Sequence, residues 1–539
     1  MNTYFDSAKK AYKNQDYKTC ISHCIEILSQ DERDFKAWKL CAFCLWEIGE
    51  NLKAIEYLEH SLCIFEDDIL AWVSLAEMYR KTHQPQKSIE ILSRFIPSAC
   101  ADLYFNLARA YTDIENFSQA IKYYKEVLII SPNDVEAMYN LGNQFLRIKD
   151  IKNAKEIFEK ASDLGHKDSK INLASIYCDM FEEQKALEIY RSLKKSTSEN
   201  AHFYFNYANA LKYALNFRES KKMYKKAISM TIDPAFLVNY AYLILSLGEY
   251  QEGFMSYQGR LLFENILPMG VDKKRVLLPF DREIGQKNIL IYHEQGFGDT
   301  LMFSRFIDKL ISLGKNVQIL PQPELVSLFC DRWGERVKKH HREITSYDIA
   351  FSIPSLPYVL GEGLFELNLC NKVSPLCLKE INKIGVFFTS VSNSKDSMQR
   401  SIPPEKLLEC LKRFEIYSLQ PEGTAINVCK KFDAIDLSSK ITDFKSTLKY
   451  LKKLDLLITI DSAIAHLAGS YGIPTIVLLP KRYDWRWGKL GQSNFKDGLF
   501  VGVRSNWYHC VIGIAQEENG DWNKVLEILK NFLNGAYNV

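Results

Sequence analysis

The sequence predicts two architectures in tandem. An α-solenoid of stacked helix–turn–helix repeats spans residues 1 to 260, and an α/β region of two Rossmann-like lobes spans 288 to 539. Three observations predict this. A small residue recurs at a fixed interval through the first half, the interval is lost after Arg260, and short apolar segments then alternate with amphipathic helical ones. The composition agrees: 539 residues, 47% apolar and 25% charged, is ordinary for a globular chain of several domains.

The repeats come first. Ala8, Ala42, Ala76, Ala108, Gly142, Ala174, Ala208 and Ala241 are separated by 34, 34, 32, 34, 32, 34 and 33 positions. A bulky residue precedes several of them (Trp38, Trp72, Tyr104, Met138, Tyr204), and an aromatic follows at Tyr79, Tyr111, Phe145 and Tyr177. Twelve residues after each small position from Ala42 onward comes another small one: Ala54, Ser88, Ala120, Ala154, Ala186, Ser220 and Gly253. Four further on stands Leu58, Leu92, Tyr124, Phe158, Tyr190, Tyr224 or Tyr257. One helical pair cannot bury its own apolar face, so neighbours stack and share a core. A period of 34 with this register is that of tetratricopeptide repeats, about eight of them here.

Such arrays bind protein segments with the first helix of each repeat. Asn106, Asn140, Asn172, Asn206 and Asn239 each stand two residues before the small position of five successive repeats. An asparagine ladder there would hydrogen-bond an extended peptide at regular spacing; the alternative is a repeat consensus residue that satisfies local backbone. Cys41 and Cys44 form a lone C-x-x-C with no second pair or histidine in the local sequence, which reads as packing rather than zinc.

Residues 261–287, with Pro268, Gly270, Pro279 and Gly285, read as a connector. Strand and helix then alternate through KNILIYHEQGFGDTLMFSRFIDKLISLG, NVQILPQPELVSLF and YDIAFSI, the first lobe to residue 380. They resume with KIGVFFTSV in a second lobe over 381–539. Parallel sheets of this kind bind ligands beyond the carboxyl ends of their strands.

Two loops fall there. Gly296, Phe297, Gly298 and Asp299 lead into a helix; glycines let backbone approach a ligand, and a carboxylate is stabilised at a helix N-terminus, although Asp is also an ordinary cap. Asp461, Ser462, Ala463, Ile464, Ala465 and His466 follow the strand LLITI, where free N–H groups of a helix start suit a phosphate. His466, one turn beyond Ser462, would donate to the same anion or serve as a structural hydrogen-bonder.

Taken together, YHEQGFGDTLMFSRF, RSIPPEKLLECL, YSLQPEG, DLLITIDSAIAHLAGSYGIPTIVLLP and DWRWG, in that order over roughly 285 to 535, resemble the glycosyltransferase domain of bacterial tetratricopeptide-fused proteins related to family-9 heptosyltransferases. The resemblance implies a GT-B fold, an inverting mechanism, and no metal or cofactor beyond the nucleotide-sugar co-substrate. The group includes flagellin and other protein O-glycosyltransferases whose repeats hold the acceptor. By the same resemblance Asp299 matches the general base. Asp461, Ser462, Ala463 and His466 match the donor-phosphate motif, with Gly296 and Gly298 beside it. Arg400 matches a basic position facing the diphosphate, and Gln420 and Glu422 fall in a loop near the base or ribose. Trp485 and Trp487 either wall the pocket or pack the lobe.

The expected function is therefore transfer of a sugar from a nucleotide-sugar to a Ser/Thr hydroxyl of a bound protein, flagellin being the acceptor suggested by resemblance. Transfer to lipopolysaccharide or lipid-linked glycan is one alternative, with KKHHRE at 338 to 343 as its basic apron or else a solvated turn. A catalytically inactive repeat scaffold is the other. Lys plus Arg of 69 against Asp plus Glu of 66 gives no electrostatic case for nucleic acid. No uncharged apolar run of about 18 residues and no apolar signal core appear, and the 13 cysteines are unpaired in spacing; these point to a cytoplasmic chain without integral membrane association. On this reading, deletion of residues 1–260 would remove acceptor binding and spare donor hydrolysis.

Overall fold

The structure is a computed structural model that describes residues 2–96, 100–194, 200–263, 267–285, 287–361, 381–390, 399–421, 425–496, 499–505 and 507–535. The chain divides into two compact units, Met1–Ser196 and Thr197–Val539.

The first unit holds six helical pairs among its described residues. They are Asn2–Lys13 with Tyr17–Gln30, Phe35–Glu47 with Asn51–Ile64, Ile69–Lys81 with Pro85–Ser93, Ala101–Asp113 with Phe117–Ile130, Val135–Arg147 with Ile151–Asp163, and Lys167–Asp179 with Glu183–Leu193. Helix starts are fixed by side chains: Asp16, Asp34, Asp68, Asn116, Asp134 and Asp150 each accept a hydrogen bond from a first-turn backbone N–H. The turn inside each pair reverses at one residue of positive φ, namely Gln15, Gly49, His83, Glu115, Lys149 and Phe181. Only one of these six is glycine, so most turns hold a side chain in the left-handed region against its local preference, by tertiary packing. The small positions pack as their spacing predicts. Ala8, Ala42, Ala76, Ala108 and Ala174 are wholly buried, and a Cβ at Gly142 would stand 2.5 Å from the ring of Phe158, sixteen residues later. Cys41 and Cys44 do have thiol neighbours in space, Cys20 and Cys24 of the preceding helix, all within one apolar cluster. Burial, with Cys20 adding to it, pushes the Cys41 thiol up to about 12.

The second unit begins with two more helical pairs, Ala201–Tyr213 with Phe217–Met230 and Pro234–Ser246 with Tyr250–Tyr257. Strands β1 (Ile289–Tyr292), β2 (Val317–Leu320) and β3 (Ile349–Ser352) then form a parallel sheet in the order β2-β1-β3. A second sheet is built from β4 (Lys383–Phe387), β5 (Glu415–Ser418), β6 (Ile435–Asp436), β7 (Leu456–Ile460) and β8 (Thr475–Leu479), and from β11 (Val503–Arg504) and β12 (Val511–Ala515). Strands β9 (Phe495–Lys496) and β10 (Leu499–Phe500) pair separately. The seven-stranded order is β11-β12-β8-β7-β4-β5-β6, parallel except for β11. Counted within this lobe, the parallel strands run 3-2-1-4-5-6, the doubly wound order with its ligand crevice where the winding reverses. That point lies between β4 and β7; in the smaller sheet it lies between β1 and β3. Strands β1 to β3, β7, β8 and β12 are buried along their whole length, as parallel strands covered on both faces must be.

The last helical pair is part of this unit's core. Ala241, Leu245, Phe254 and Tyr257 belong to the same cluster of buried side chains as Ile289, Ile291 and Phe303. The loss of sequence period at Arg260 and the edge of the compact unit at Thr197 are therefore different boundaries.

Candidate functional site

The second-lobe loop sits at the winding reversal. Asp461 and Ser462 follow β7 directly, and Ser462 caps helix Ala463–Ser470 by accepting from Ala465 N at 3.4 Å. Its hydroxyl also meets Thr459 Oγ1 at 2.9 Å. Arg400 Nη1 reaches Asp461 Oδ2 at 3.4 Å, joining two residues predicted separately. Burial, and then the nearby carboxylate of Asp484, raises the Asp461 carboxyl, against the opposing pull of Arg400, the Trp487 indole and Arg486.

His466 is buried, 3% exposed. Its Nδ1 shares a 2.9 Å hydrogen bond with Tyr508 Oη, and its ring stacks on Trp487 at 4.7 Å and 20°. Burial first, then the charges of Arg486 and Arg305, hold its basicity well below the usual histidine range, so the ring is neutral. Arg305 donates to Trp507 O at 2.7 Å and lies over the Tyr508 ring at 4.6 Å, fixing the hydroxyl that meets His466.

The first-lobe loop meets this one. Helix Phe297–Phe303 starts after Gly296, with Asp299 in its first turn. A Cβ at Gly298 would stand 2.9 Å from His466 Cδ2 and 3.7 Å from Ala463 Cα, so glycine is what lets the two loops touch. Gly298→Ala should push His466 off its Tyr508 partner and cost about 1–3 kcal/mol of stability. Calorimetric melting and the His466 ring resonances would read both effects, and an unshifted ring would refute the contact.

Asp299 forms an ion pair with Arg486, the central residue of DWRWG. Arg486 Nε donates to Asp299 Oδ1 at 3.0 Å and Nη2 donates to the same oxygen, while Nη1 donates to Asp484 Oδ1 at 2.7 Å. Both contacts fall on Oδ1 and leave Oδ2 without one. Sequence reasoning passed over Arg486 and stopped at its neighbours. Trp485 and Trp487 are buried at 4% and 1%, and pack the lobe. The available signal was a cation between two tryptophans, a residue that is buried only with partners.

The remaining predicted residues are placed as follows. Gln420 is buried and holds the loop after β4, accepting from Phe388 N at 2.7 Å and Thr389 N at 3.1 Å and donating to Thr389 O at 3.2 Å. It therefore shapes that loop from beneath. Glu422 lies outside the described residues. The five asparagines all sit half-buried on the first helix of their pairs. Asn106, Asn140 and Asn239 donate to the carbonyls of Asp102, Glu136 and Ala235, each at 2.9 Å, and Asn172 donates to Asn143 Oδ1 at 2.9 Å. These amide groups serve local structure while their oxygens keep further acceptor capacity. The basic run at 338–343 ends in an exposed turn of 3₁₀ geometry, His341–Glu343.

The crevice of the smaller sheet is filled from within the chain. Arg260, 5% exposed, donates from Nε and Nη2 to the two carboxylate oxygens of Glu294, at 3.0 Å each, just after β1. Nη2 also reaches Ser352 Oγ at 3.0 Å and Ser355 Oγ at 2.7 Å, at the end of β3. Tyr257 Oη donates to Gln295 Oε1 at 3.0 Å. Among the described residues no group of His, Cys, Asp and Glu is gathered to hold a metal ion, and no helix is long and apolar enough to cross a membrane.

The tetratricopeptide repeat family matches residues 101–134 and 135–164, two adjacent helical pairs of the first unit. The N-terminal helices are tetratricopeptide repeats. Repeats of this kind suggest protein partners. Protein FlbA of Caulobacter vibrioides is 23% identical over 312 residues, 56% of this chain and 46% of FlbA, so the chain spans about half the length of that relative. Human superkiller complex protein 3 is 28% identical over 81 residues, 15% of this chain and 5% of that protein. Among solved structures, a tetratricopeptide repeat protein from Parabacteroides merdae covers 44% of this chain and 94% of its own at 14% identity and a TM-score of 0.36. The pilus biogenesis factor PilW covers 36% and 92% at 18% identity and 0.33.

Proposed function

We propose that the second unit is an inverting, metal-independent glycosyltransferase of GT-B architecture. It takes a sugar from a nucleotide-sugar and places it on a Ser or Thr hydroxyl of a protein held by the tetratricopeptide repeats, flagellin being the acceptor class that the sequence resemblance suggests. One observation carries the reading: two loops about 160 residues apart in sequence, each beyond the carboxyl end of a strand, meet at Gly298 and His466. An open α/β sheet binds its ligand at this place.

The geometry supports the following roles. Ser462 and the first N–H groups of its helix face the departing phosphate, with Arg400 close by through Asp461. Neutral His466, held through Nδ1 by Tyr508, offers its other ring nitrogen on the Gly298 side. Asp299, oriented by Arg486 through one oxygen, keeps the other for the acceptor hydroxyl and takes its proton as the glycosidic bond forms. The bond from the anomeric carbon to the nucleotide breaks in the same step, and the charge it leaves on phosphate is met by the second-lobe groups.

The test is a binding panel followed by a mass measurement. Full-length protein is melted with UDP, GDP, ADP, TDP and CMP; at a hundredfold excess over Kd, one of them should add about 2.7 kcal/mol of stability. The matching nucleotide-sugar should then add a fixed mass to an acceptor protein, flagellin tested first. No shift with any nucleotide and no mass increment on any acceptor would refute the reading.

A further inference from the structure

We propose that Arg260 is a positioning residue for Asp299: it closes the last tetratricopeptide helix onto the loop that carries Asp299 and fixes where that carboxylate stands. The inference rests on the proposed function for Asp299's chemistry but not for its geometry. Arg260 lies immediately after the eighth helical pair, in the short 3₁₀ turn Gln258–Leu262. Its planar fork engages both carboxylate oxygens of Glu294, and the same guanidinium is tied to the end of β3 by Ser352 and Ser355. Ser355 Oγ donates in turn to Gln258 Oε1 at 2.9 Å, and Arg260 Nη1 donates to Tyr257 O at 3.0 Å.

Glu294 and Gln295 are the residues immediately before Gly296, where the Asp299 helix begins. Gln295 is held as well, its side chain by Tyr257 and its carbonyl by Gln322 Nε2 at 2.8 Å. The segment is therefore gripped at two consecutive residues by the end of the repeats. The partner of Asp299 is gripped from the same side. The loop that carries Arg486 rests on the seventh helical pair, with Arg482 3.8 Å above the Tyr213 ring and Lys489 5.1 Å above Phe217. Trp485 lies edge-on to Phe254 and Tyr257 at 6.2 and 6.3 Å. Both members of the Asp299–Arg486 pair thus take their place from residues 213–260.

A lysine at 260 keeps the charge and loses the fork, which makes it the informative substitution. In full-length Arg260→Lys, hydrogen exchange of peptides covering residues 293–303 should quicken about tenfold or more, while peptides covering 201–230 keep wild-type rates. With the nucleotide-sugar found above, kcat should fall about tenfold or more and the donor KM should stay within about threefold. Arg260→Met paired with Glu294→Leu removes both charges together and serves if the single variant is unstable. Unchanged exchange at 293–303 in folded variants would overturn the proposal, as would a loss spread evenly over the second unit. If the local loosening is seen but the wild-type protein transfers no sugar, the positioning stands and the transferase reading falls.

Discussion

Removal of residues 1–196 is expected to leave a folded, nucleotide-binding protein, whereas removal of residues 1–260 is expected to leave one that does not fold. The sequence period alone invites the second cut, because the repeats end at Arg260. The structure places the edge of the compact unit at Thr197. Cutting at 260 strips Leu245, Phe254 and Tyr257 from the core that covers β1 and the helix after it. At about 1.5–3 kcal/mol for each large buried side chain, the loss is of order 5–9 kcal/mol. It also takes the cation from Glu294, whose side chain is 10% exposed, and an orphaned buried charge costs about 3–5 kcal/mol more. Together, about 8–14 kcal/mol, these are comparable to the whole stability of a typical domain, about 5–15 kcal/mol. Size-exclusion chromatography and thermal melts of the two truncations decide it. A cooperative melt of the shorter product, near that of the longer, would show that the last two helical pairs are dispensable to the core.

Asp299→Asn should lower sugar transfer by about 100- to 10,000-fold, the usual range for loss of a general base. The amide keeps the shape and can still accept a hydrogen bond from Arg486, so the affinity for nucleotide should stay within a few-fold. Arg486, 12% exposed, retains Asp484 at 2.7 Å, so the variant should remain folded with a modestly lower melting point. Transfer kinetics, nucleotide binding and melting measured on one preparation separate the two roles open to Asp299. If transfer and nucleotide affinity fall together, its role is to hold Arg486 in place, and the proton acceptor is another group. Full transfer by the variant would remove Asp299 from the chemistry altogether.

Most of the architecture was legible because it repeats or alternates. The small residues at about every 34th position are those the structure buries completely, since close helix approach admits nothing larger there. The alternation of strand and helix indicated sheet structure after the repeats, where a mixed sheet is found, and the run LLITIDSAIAH put Asp461 and Ser462 just beyond a strand, where they stand. The asparagine series was visible as a pattern with two readings, and spacing did not choose between a peptide ladder and the local backbone bonds that Asn106, Asn140 and Asn239 make. An amide that turns back to the carbonyl four residues earlier leaves no mark in spacing.

What the sequence by itself determined were the local features: period, strand and helix order, and loops with glycine or small residues at helix starts. Periodicity records which face of an element is buried, so it reports packing between sequence neighbours faithfully. The tertiary structure alone decided the long-range pairings, because charge complementarity between distant residues follows no period. Arg486 meets Asp299 across 187 positions and Arg260 meets Glu294 across 34, each buried cation seeking a carboxylate that burial requires it to have. For the same reason the last helical pair, a repeat by sequence, belongs by packing to the α/β unit: its apolar side chains share one core with those of the strands.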